Sequence, residues 1–339
     1  SIKVQFISNA CCIVKTNLGT HILTDPWIED GVFEGSWCHF HKLQTNIEDL
    51  QNVDAIYLSH IHQDHYDDRF FNFPKDIPII LLDHGLNFLH KKLLETGYKN
   101  LIKIKDKETI KFKDLNLTLF APFVKNSFFE DNSKIGNLID SAIVFESDNQ
   151  SIFNANDNTP NNETCVELKS IFGNFDLAMM NYNNAGPYPS CFSNLSDKQK
   201  YTEQKNNLSR NIDLLHSNLK ILKPKYFLPF AGAYVLGGKN YYKNKYLGTT
   251  SWDNCIQILK NKEKIENTLY IALREQDVFD LDTGMSDKEY IPIDENEMEN
   301  YIKNVLAKIK YPYEKDSIPN EEEIMKDLIL ASSRMQERL

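Results

Sequence analysis

A cluster of three histidines and several aspartates near residue 60 constrains this chain more than any other feature. Residues 58–68 read LSHIHQDHYDD and directly follow a short apolar run that predicts a buried strand. Imidazole nitrogens and carboxylate oxygens are ligands that zinc, iron and manganese accept in proteins. In a loop that leaves a strand, His60 and His62 can point to one side while Asp64 and His65 reach to the other. The spacing therefore predicts a site for one metal ion, or for two ions a few ångströms apart.

The hydrophobic pattern predicts an α/β fold, β-rich at first and then αβ, in one domain with a helical extension. The expected strands are 4–6, 12–15, 21–24, 55–58, 78–82, 101–104, 109–112, 115–121, 141–145, 151–154, 176–180 and 225–229. The expected helices are 86–94, 161–171, 198–222 and 252–260. We place the domain at residues 1–285 and an acidic helical extension at residues 286–339. The last helix of this extension is expected to pack on the domain or on a partner subunit.

Composition argues against several classes of function. The 339 residues include 38 Lys and Arg against 48 Asp and Glu, and a net charge of −10 disfavours nucleic acid as a partner. No apolar run approaches the roughly 20 residues of a membrane span, and the first residues read as a strand, not a signal peptide. Six cysteines are too few for a disulfide framework in a chain of this length. We therefore expect a cytoplasmic protein with neither nucleic acid nor membrane as a partner, and leave open whether it forms a homo-oligomer.

The histidine segment resembles the H-x-H-x-D-H signature of the metallo-β-lactamase superfamily. Members of this superfamily have a four-layer αβ/βα sandwich with metals at one edge, so the resemblance implies this fold here. Residues 23–27, LTDPW, resemble the strand-end Asp motif of the family. By this resemblance, Asp25 would hydrogen-bond to the histidine loop and orient it. The alternative is that Asp25 is a plain turn residue before a proline.

Further segments resemble the CMP-N-acetylneuraminate hydroxylase branch of the superfamily. They are residues 25–27, 32–37, 152–158, 228–232 and 268–282. The branch resemblance implies a nucleotide-linked or phosphorylated sugar as the substrate class. Full-length vertebrate-type members carry a Rieske domain ahead of this part. The segment Cys38–His41 has no second Cys/His motif beside it, so we expect no Rieske cluster in this chain.

The resemblance also implies a set of metal ligands. The implied ligands are His60, His62, Asp64, His65 and Asp157. Asp157 follows the strand 151–154, where family members place a carboxylate that bridges two metals. One ion would be held either by His60, His62 and Asp157 or by Asp64, His65 and Asp157.

Two histidines that usually complete the dinuclear set are missing. No histidine lies between His90 and His216, and none follows His216. Asp140 at a strand start could replace one ligand, and His84 or His90 could also contribute. A metal with two or three protein ligands keeps positions open for water and substrate, which favours catalysis but weakens binding. A site with one ion, or a decayed site, is therefore an alternative to a dinuclear one.

Three segments supply candidates for contact with a substrate. Their residues are His39, His41, Tyr182, Asn183 and Phe230. His39 and His41 follow Trp37 in a loop that the family geometry places near the metals. Tyr182 and Asn183 begin a Gly/Pro/Asn-rich loop after a strand, and such loops on rigid scaffolds often contact ligands. The basic, aromatic stretch 239–246 could meet a phosphate, although we favour a solvated turn.

Together, the residues and the resemblance predict a metal-dependent hydrolase that acts on a small polar substrate. Bound zinc or iron would lower the pKa of its water, and Asp64 and His65 are the candidate catalytic residues, with Asp64 as a general base. One alternative is an iron-dependent hydroxylase of an N-acyl or nucleotide sugar, served by a separate electron-transfer protein. The other is a non-catalytic binding protein, which the missing histidines favour.

Overall fold

Two β-sheets pack face to face between layers of helices, which gives the chain a four-layer αβ/βα sandwich and confirms the expected fold class. The computed structural model describes residues 1–83, 88–123, 139–147 and 149–338. The predicted strands and helices all form, with ends within two residues of the expected ones in the described ranges.

The elements are numbered along the chain. The strands are β1 (Lys3–Ser8), β2 (Cys11–Lys15), β3 (His21–Thr24), β4 (Trp37–Cys38), β5 (Ala55–Tyr57), β6 (Ile79–Leu82), β7 (Leu101–Ile104), β8 (Thr109–Phe112), β9 (Leu115–Phe120), β10 (Ala142–Ser147), β11 (Gln150–Asn156), β12 (Leu177–Met180), β13 (Tyr226–Pro229), β14 (Val235–Leu236), β15 (Leu269–Tyr270), β16 (Val278–Asp280) and β17 (Met285–Ser286). The helices are α1 (Phe88–Glu95), α2 (Asn162–Phe172), α3 (Asp197–Leu222), α4 (Trp252–Lys260), α5 (Glu295–Asn304) and α6 (Glu321–Arg338).

The sheets place the ends of several strands along one edge. The first sheet has the order β17-β16-β1-β2-β3-β5-β6-β7, and the second has the order β15-β13-β12-β11-β10-β9-β8. Strands β3, β5, β6 and β7 run parallel to one another, as do β11, β12, β13 and β15. Ligand sites in sheets of this kind form beyond the carboxyl ends of parallel strands.

Apolar side chains from both sheets fill the centre of the sandwich. Val4 and Val14 from the first sheet pack with Leu117, Ile152 and Met179 from the second. Helices α2, α3 and α4 cover the outer face of the second sheet, and α1 covers the first. Side chains cap the N-termini of α2, α3 and α4; at α3, the Ser196 and Gln199 side chains form a capping box.

The C-terminal extension consists of two different parts. In the first, Ile302 and Leu306 are buried against Cys38 and Val235, and the Tyr311 hydroxyl donates a hydrogen bond to the carbonyl of Gly237. The boundary at residue 285 stays a prediction, although β17 spans it and residues 295–311 pack on the sandwich.

The second part of the extension, helix α6, has every side chain exposed. The expectation that this helix packs on the domain is therefore wrong. The preceding residues 316–320 are also exposed, so the chain leaves the surface before α6 begins. Packing on a partner subunit stays a prediction. No helix in the described ranges is long and apolar enough to span a membrane.

Candidate metal centre

The histidine loop leaves the first sheet at the end of β5 and turns tightly at the edge of the sandwich. The backbone N–H groups of His65 and Tyr66 both donate to the carbonyl of His62, at 2.9 and 2.8 Å. This turn brings His60 and His65 next to Asp157, which follows β11 of the second sheet. The two sheets thus contribute to one cluster.

The side chains form two groups of three ligand atoms, and His60 belongs to both. One group contains His60, His62 and Asp140, and the other contains His60, His65 and Asp157; within each, the atoms lie within 4.8 Å of one another. His60 Nε2 is 2.9 Å from His62 Nδ1, 3.6 Å from Asp140 Oδ1 and 3.5 Å from Asp157 Oδ2. Asp140 therefore lies where it could replace a missing histidine.

The implied ligand Asp64 lies beside these groups. Its Oδ2 atom is 3.3 Å from His65 Nε2, and its side chain is almost fully buried. Asn9 Nδ2 donates to its backbone carbonyl at 3.1 Å, which fixes this part of the loop. His90 belongs to neither group, and His84 lies outside the described residues.

Asp25 orients the histidine loop, as the resemblance implies. Its Oδ1 accepts from the backbone N–H of Ser59 at 2.8 Å, and its Oδ2 accepts from Ser59 Oγ at 2.6 Å. Its Oδ2 also lies 2.7 Å from His65 Nδ1. Ser59 Oγ is in turn 2.8 Å from His60 Nδ1. These contacts place the ring protons of both histidines on Nδ1, which leaves Nε2 to face the cluster.

The chemistry of this cluster fits a divalent cation. His65 Nε2 is buried and makes no hydrogen bond of acceptable geometry among the described residues, although Asp157 Oδ2 is 2.9 Å away. Burial alone would lower the pKa of His65, but the surrounding carboxylates outweigh it and raise this pKa well above its ordinary value. The site thus favours positive charge at this point. A metal ion supplies that charge while the imidazole stays neutral.

Two further ligands, Asp157 and His62, have pKa shifts that favour metal binding. Burial would raise the pKa of Asp157, but His65 and His60 lower it well below its ordinary value, which keeps the carboxylate ionised. Burial and the neighbouring His60 lower the pKa of His62, which favours its neutral form. Neutral imidazole and ionised carboxylate are the ligand forms of these side chains.

A second network that the sequence did not reveal connects the second sheet to the histidine loop. Ser141 Oγ donates to the carbonyl of Ser59 at 2.7 Å and lies 2.6 Å from the Tyr57 hydroxyl. Asn156 Nδ2 donates to the carbonyl of Ser141 at 3.1 Å. Asp25 and Asn156 have φ values of 35° and 39°, a left-handed conformation that is uncommon outside glycine. Such conformations concentrate at functional sites, where surrounding contacts hold them.

The cluster opens into a cavity of about 890 Å³. Its wall includes His62, Asp64, Asp140 and Asp157 from the cluster. Asn181, directly after β12, also lines it and donates from Nδ2 to Asp157 Oδ1 at 3.2 Å. The sequence carried a signal for this contact, since a polar residue at the end of a parallel strand reaches the same edge as Asp157.

Asn183, a predicted substrate contact, lines this cavity. Its Nδ2 donates to the carbonyls of Gly232 and Thr250, both at 2.9 Å, and its Oδ1 accepts from the Thr250 backbone N–H at 2.8 Å. Gly232 has a φ of +74°, and a Cβ there would lie 2.9 Å from Asn181 and Asn183. The amide of Asn183 therefore joins three segments of the wall.

The structure places the other predicted substrate contacts away from the cavity. Tyr182 and Phe230 are 2% and 1% exposed in the two main cores, and His39 is 3% exposed, with its ring centre 3.9 Å from that of Trp27. These three predictions are corrected, because packing buries all three rings. His41 lines a separate cavity of about 290 Å³, where it contacts Arg274.

No family model matches the chain, but curated relatives do. A protein from Mycolicibacterium smegmatis named as a Rieske 2Fe–2S iron–sulfur protein is 29% identical over 203 residues, 56% of this chain and 36% of the relative. The cytidine monophosphate-N-acetylneuraminic acid hydroxylase of Xenopus laevis is 23% identical over 267 residues, 75% of this chain and 41% of the relative. The chain thus spans only about two fifths or less of the length of these relatives.

Solved structures resemble the chain over most of its length. An isothiocyanate hydrolase from Delia radicum gut bacteria has a TM-score of 0.56 at 18% identity, and covers 84% of this chain and 99% of its own. The metallo-β-lactamase fold protein YhfI from Bacillus subtilis has a TM-score of 0.50 at 12% identity. The match covers 83% of this chain and 100% of YhfI. The chain has the metallo-β-lactamase fold.

A diiron enzyme is also among the solved structures with this metallo-β-lactamase fold. CmlA, a diiron β-hydroxylase from Streptomyces venezuelae, has a TM-score of 0.53 at 14% identity, and covers 81% of this chain and 53% of its own. At these identities the likeness establishes the fold alone. Similar proteins of this metallo-β-lactamase fold therefore include both a hydrolase and a hydroxylase.

Proposed function

We propose that the chain is a metal-dependent hydrolase. The observation that carries this proposal is the pair of donor groups that share His60 and open into the cavity of about 890 Å³. A divalent ion held there would lower the pKa of a bound water towards neutrality and polarise the bond to be cleaved. Zinc and iron both accept this set of ligands.

The chain's own residues divide into holding and catalytic roles. His60, His62, His65, Asp140 and Asp157 would hold the metal. The proposed general base is Asp64, because it lines the cavity and is not a member of either donor group. His65, the other predicted catalytic residue, is fully buried and held by Asp25, so we assign it to metal binding.

The proposed substrate is a small polar molecule, and we retain a nucleotide-linked or phosphorylated sugar as its class. Several asparagines and the stacked rings of Trp37 and Tyr234, 3.6 Å apart at 3°, line the cavity. Amides and aromatic faces suit the hydroxyl groups and rings of sugars and bases. Similarity to the sialic-acid hydroxylase supports the same class. We propose no nucleic-acid or membrane partner and a cytoplasmic location.

The second candidate is an iron-dependent hydroxylase with a separate electron-transfer protein. The similarity to the Xenopus hydroxylase over 75% of this chain, together with the CmlA structure, favours this candidate. The residues of the site serve both reactions, because histidine and carboxylate ligands suit iron as well as zinc.

Turnover without oxygen distinguishes the two candidates. The purified protein would be incubated anaerobically with a panel of phosphorylated and nucleotide-linked sugars, with zinc or iron, and product formation followed by mass spectrometry. Hydrolysis predicts cleaved products that contain one added water and need no oxygen. Products only in the presence of oxygen and reductant, with matching oxygen consumption, would favour the hydroxylase. No product under either condition would favour a binding protein.

A further inference from the structure

We propose that Lys243 recognises an anionic group of the substrate, at a subsite in the cavity wall beside Cys191. This inference rests on the proposed function, since it defines which substrates the cavity accepts. It assigns to Lys243 a role in specificity and no part in the chemical step.

The charges on the cavity wall are distributed unequally. Three carboxylates line it, from Asp64, Asp140 and Asp157, and all three belong to the region of the histidine cluster. Among the wall residues that the structure describes, Lys243 is the single lysine or arginine. None of the lysine and arginine ion pairs within the described ranges involves Lys243, and its Nζ contacts Cys191 Sγ at 3.7 Å. Its charge is therefore available to a ligand.

The segment that carries Lys243 is held firmly in place. Lys243 lies in a 3₁₀ helix, Gly238–Tyr246. Asn244 Nδ2 donates to the carbonyls of Leu236 and Tyr241, both at 2.8 Å, and Asn244 Oδ1 accepts from the Leu236 backbone N–H at 2.8 Å. Because the backbone is fixed, a ligand that binds the Lys243 ammonium immobilises only this side chain. The entropic cost of binding is therefore small.

The C-terminal extension packs against the start of the same segment. The backbone N–H of Asn240 donates to the Tyr311 hydroxyl at 3.2 Å. Gly238 has a φ of +65°, and a Cβ there would lie 2.3 Å from Tyr311 Cε1. Tyr311 thus supports the wall that presents Lys243.

The other lysines of this segment have different surroundings. Lys239 Nζ lies 4.7 Å from the centre of the Tyr313 ring, and Lys245 Nζ lies 4.9 Å from that of Tyr246. Among the described residues that line the cavity of about 890 Å³, neither Lys239 nor Lys245 is found. Lys245 is therefore a matched control for Lys243: the same residue type, two positions away on the same 3₁₀ helix.

The cavity wall that contains Lys243 also has neutral polar groups that suit an oxyanion. Ser190, Asn184 and Asn240 line the cavity together with Lys243, and none of them carries a negative charge. A phosphate or a carboxylate on a sugar would pair with the ammonium and accept further hydrogen bonds. The metal cluster and this subsite would then hold two parts of one substrate.

Cys191 provides a test that requires neither metal nor turnover. It is the one exposed cysteine, since the other five are buried. A ligand on Lys243 would shield the thiol from iodoacetamide. The alkylation rate would be measured in native protein with glucose 6-phosphate, glucuronate or uncharged glucose as probes, and the protection expressed as the ratio of rates without and with probe.

The wild type and the Lys245→Gln variant should be protected by at least one charged probe and not by glucose. Which probe protects shows whether the subsite takes a phosphate or a carboxylate. In Lys243→Gln the half-protecting concentration should rise by about tenfold or more, because a charge-assisted hydrogen bond is lost. Lys243→Arg should retain protection, which separates loss of charge from a folding defect.

Equal protection of Lys243→Gln and wild type would overturn the subsite, as would protection by glucose or by none of the probes. The outcome is independent of the proposed function, because the His60→Ala variant should keep the protection even after it loses its metal. Protection without any turnover would leave the subsite standing and count against the hydrolase.

Discussion

The histidine loop and the cavity wall around Lys243 are built in different ways. The loop takes three imidazoles from six consecutive residues, and its supporting side chains come from strand ends beside it. The wall combines segments near residues 183, 232, 243 and 311, which meet only in the folded chain. The histidine ligands therefore come from one local segment of the sequence, whereas substrate recognition depends on long-range packing. The predictions below test that difference.

The largest effect is expected from His60→Ala, because His60 belongs to both donor groups. Metal content should fall to background, and activity should drop by more than about 100-fold, beyond the 10–100-fold typical of residues that only support ligands. His62→Ala removes a ligand from one group and should lose less metal. Elemental analysis of both purified variants would check this.

A matched control is His216→Ala, since His216 lies on α3 and contacts the Glu263 carbonyl at 2.8 Å, away from the cluster. This variant should keep its metal. If His60→Ala retained as much metal as His216→Ala, the shared-ligand assignment would be wrong.

Asp25→Asn should weaken metal binding by about 10–100-fold without removing a ligand. The substitution removes the negative charge that holds the proton of His65 on Nδ1. Titration with a competing chelator would measure the affinity. Asp277→Asn is the control, because this buried aspartate accepts from the Arg274 backbone N–H at 2.9 Å in another region. An equal loss in both variants would indicate a general effect of the substitution.

Sequence predicted the loop well and the wall poorly, for a physical reason. Asp25 and Asp157 follow buried strands, so the sequence predicts their position at the edge of the sheets. After β12 the chain alternates: Asn181 and Asn183 line the cavity, whereas Tyr182 between them lies in the core. The sequence indicates that this loop is polar and aromatic, but it does not show which side chains point into the cavity and which into the core.

Other parts of the wall have no local signal in the sequence. Tyr311 is 2% exposed because the Gly237–Gly238 turn leaves space for its ring, a contact across more than 70 residues. The local sequence favours a solvated turn at Lys243, because nothing in its neighbours indicates that Cys191 lies beside it. In both cases tertiary contacts decide the environment.

Tyr311→Ala should destabilise the wall while leaving the metal cluster intact. Deleting a buried aromatic ring typically costs about 3–5 kcal/mol, so the free energy of unfolding should fall by roughly this amount. Chemical denaturation would measure the loss, and elemental analysis should still find metal.

Deleting residues 317–339 is the control, since α6 buries none of its described side chains and its removal should change stability by less than about 0.5 kcal/mol. If the truncation cost as much as Tyr311→Ala, α6 would have a packing role.

A smaller, pH-dependent effect is expected from His39, which burial holds neutral. Burial lowers its pKa from 6.5 to about 3, so the unfolded chain binds the extra proton between these values. The contribution of neutral His39 to the free energy of unfolding is therefore fully present above pH 6.5. It is lost as the pH falls towards 3, with a slope of up to about 1.4 kcal/mol per pH unit. His39→Asn should show a shallower fall, measured by denaturant unfolding across this range. An unchanged slope would contradict the burial of a neutral imidazole.

The metal content of wild-type protein purified without chelator tests the central claim most directly. Metal affinity at such a site is highest where the imidazoles are neutral and the carboxylates are ionised, a condition that neutral pH favours. The two donor groups around His60 predict at least about one equivalent of zinc or iron per chain, lost on dialysis against a strong chelator and restored by added metal. Less than about a tenth of an equivalent, with no binding on titration of either metal, would contradict a metal centre in this cluster.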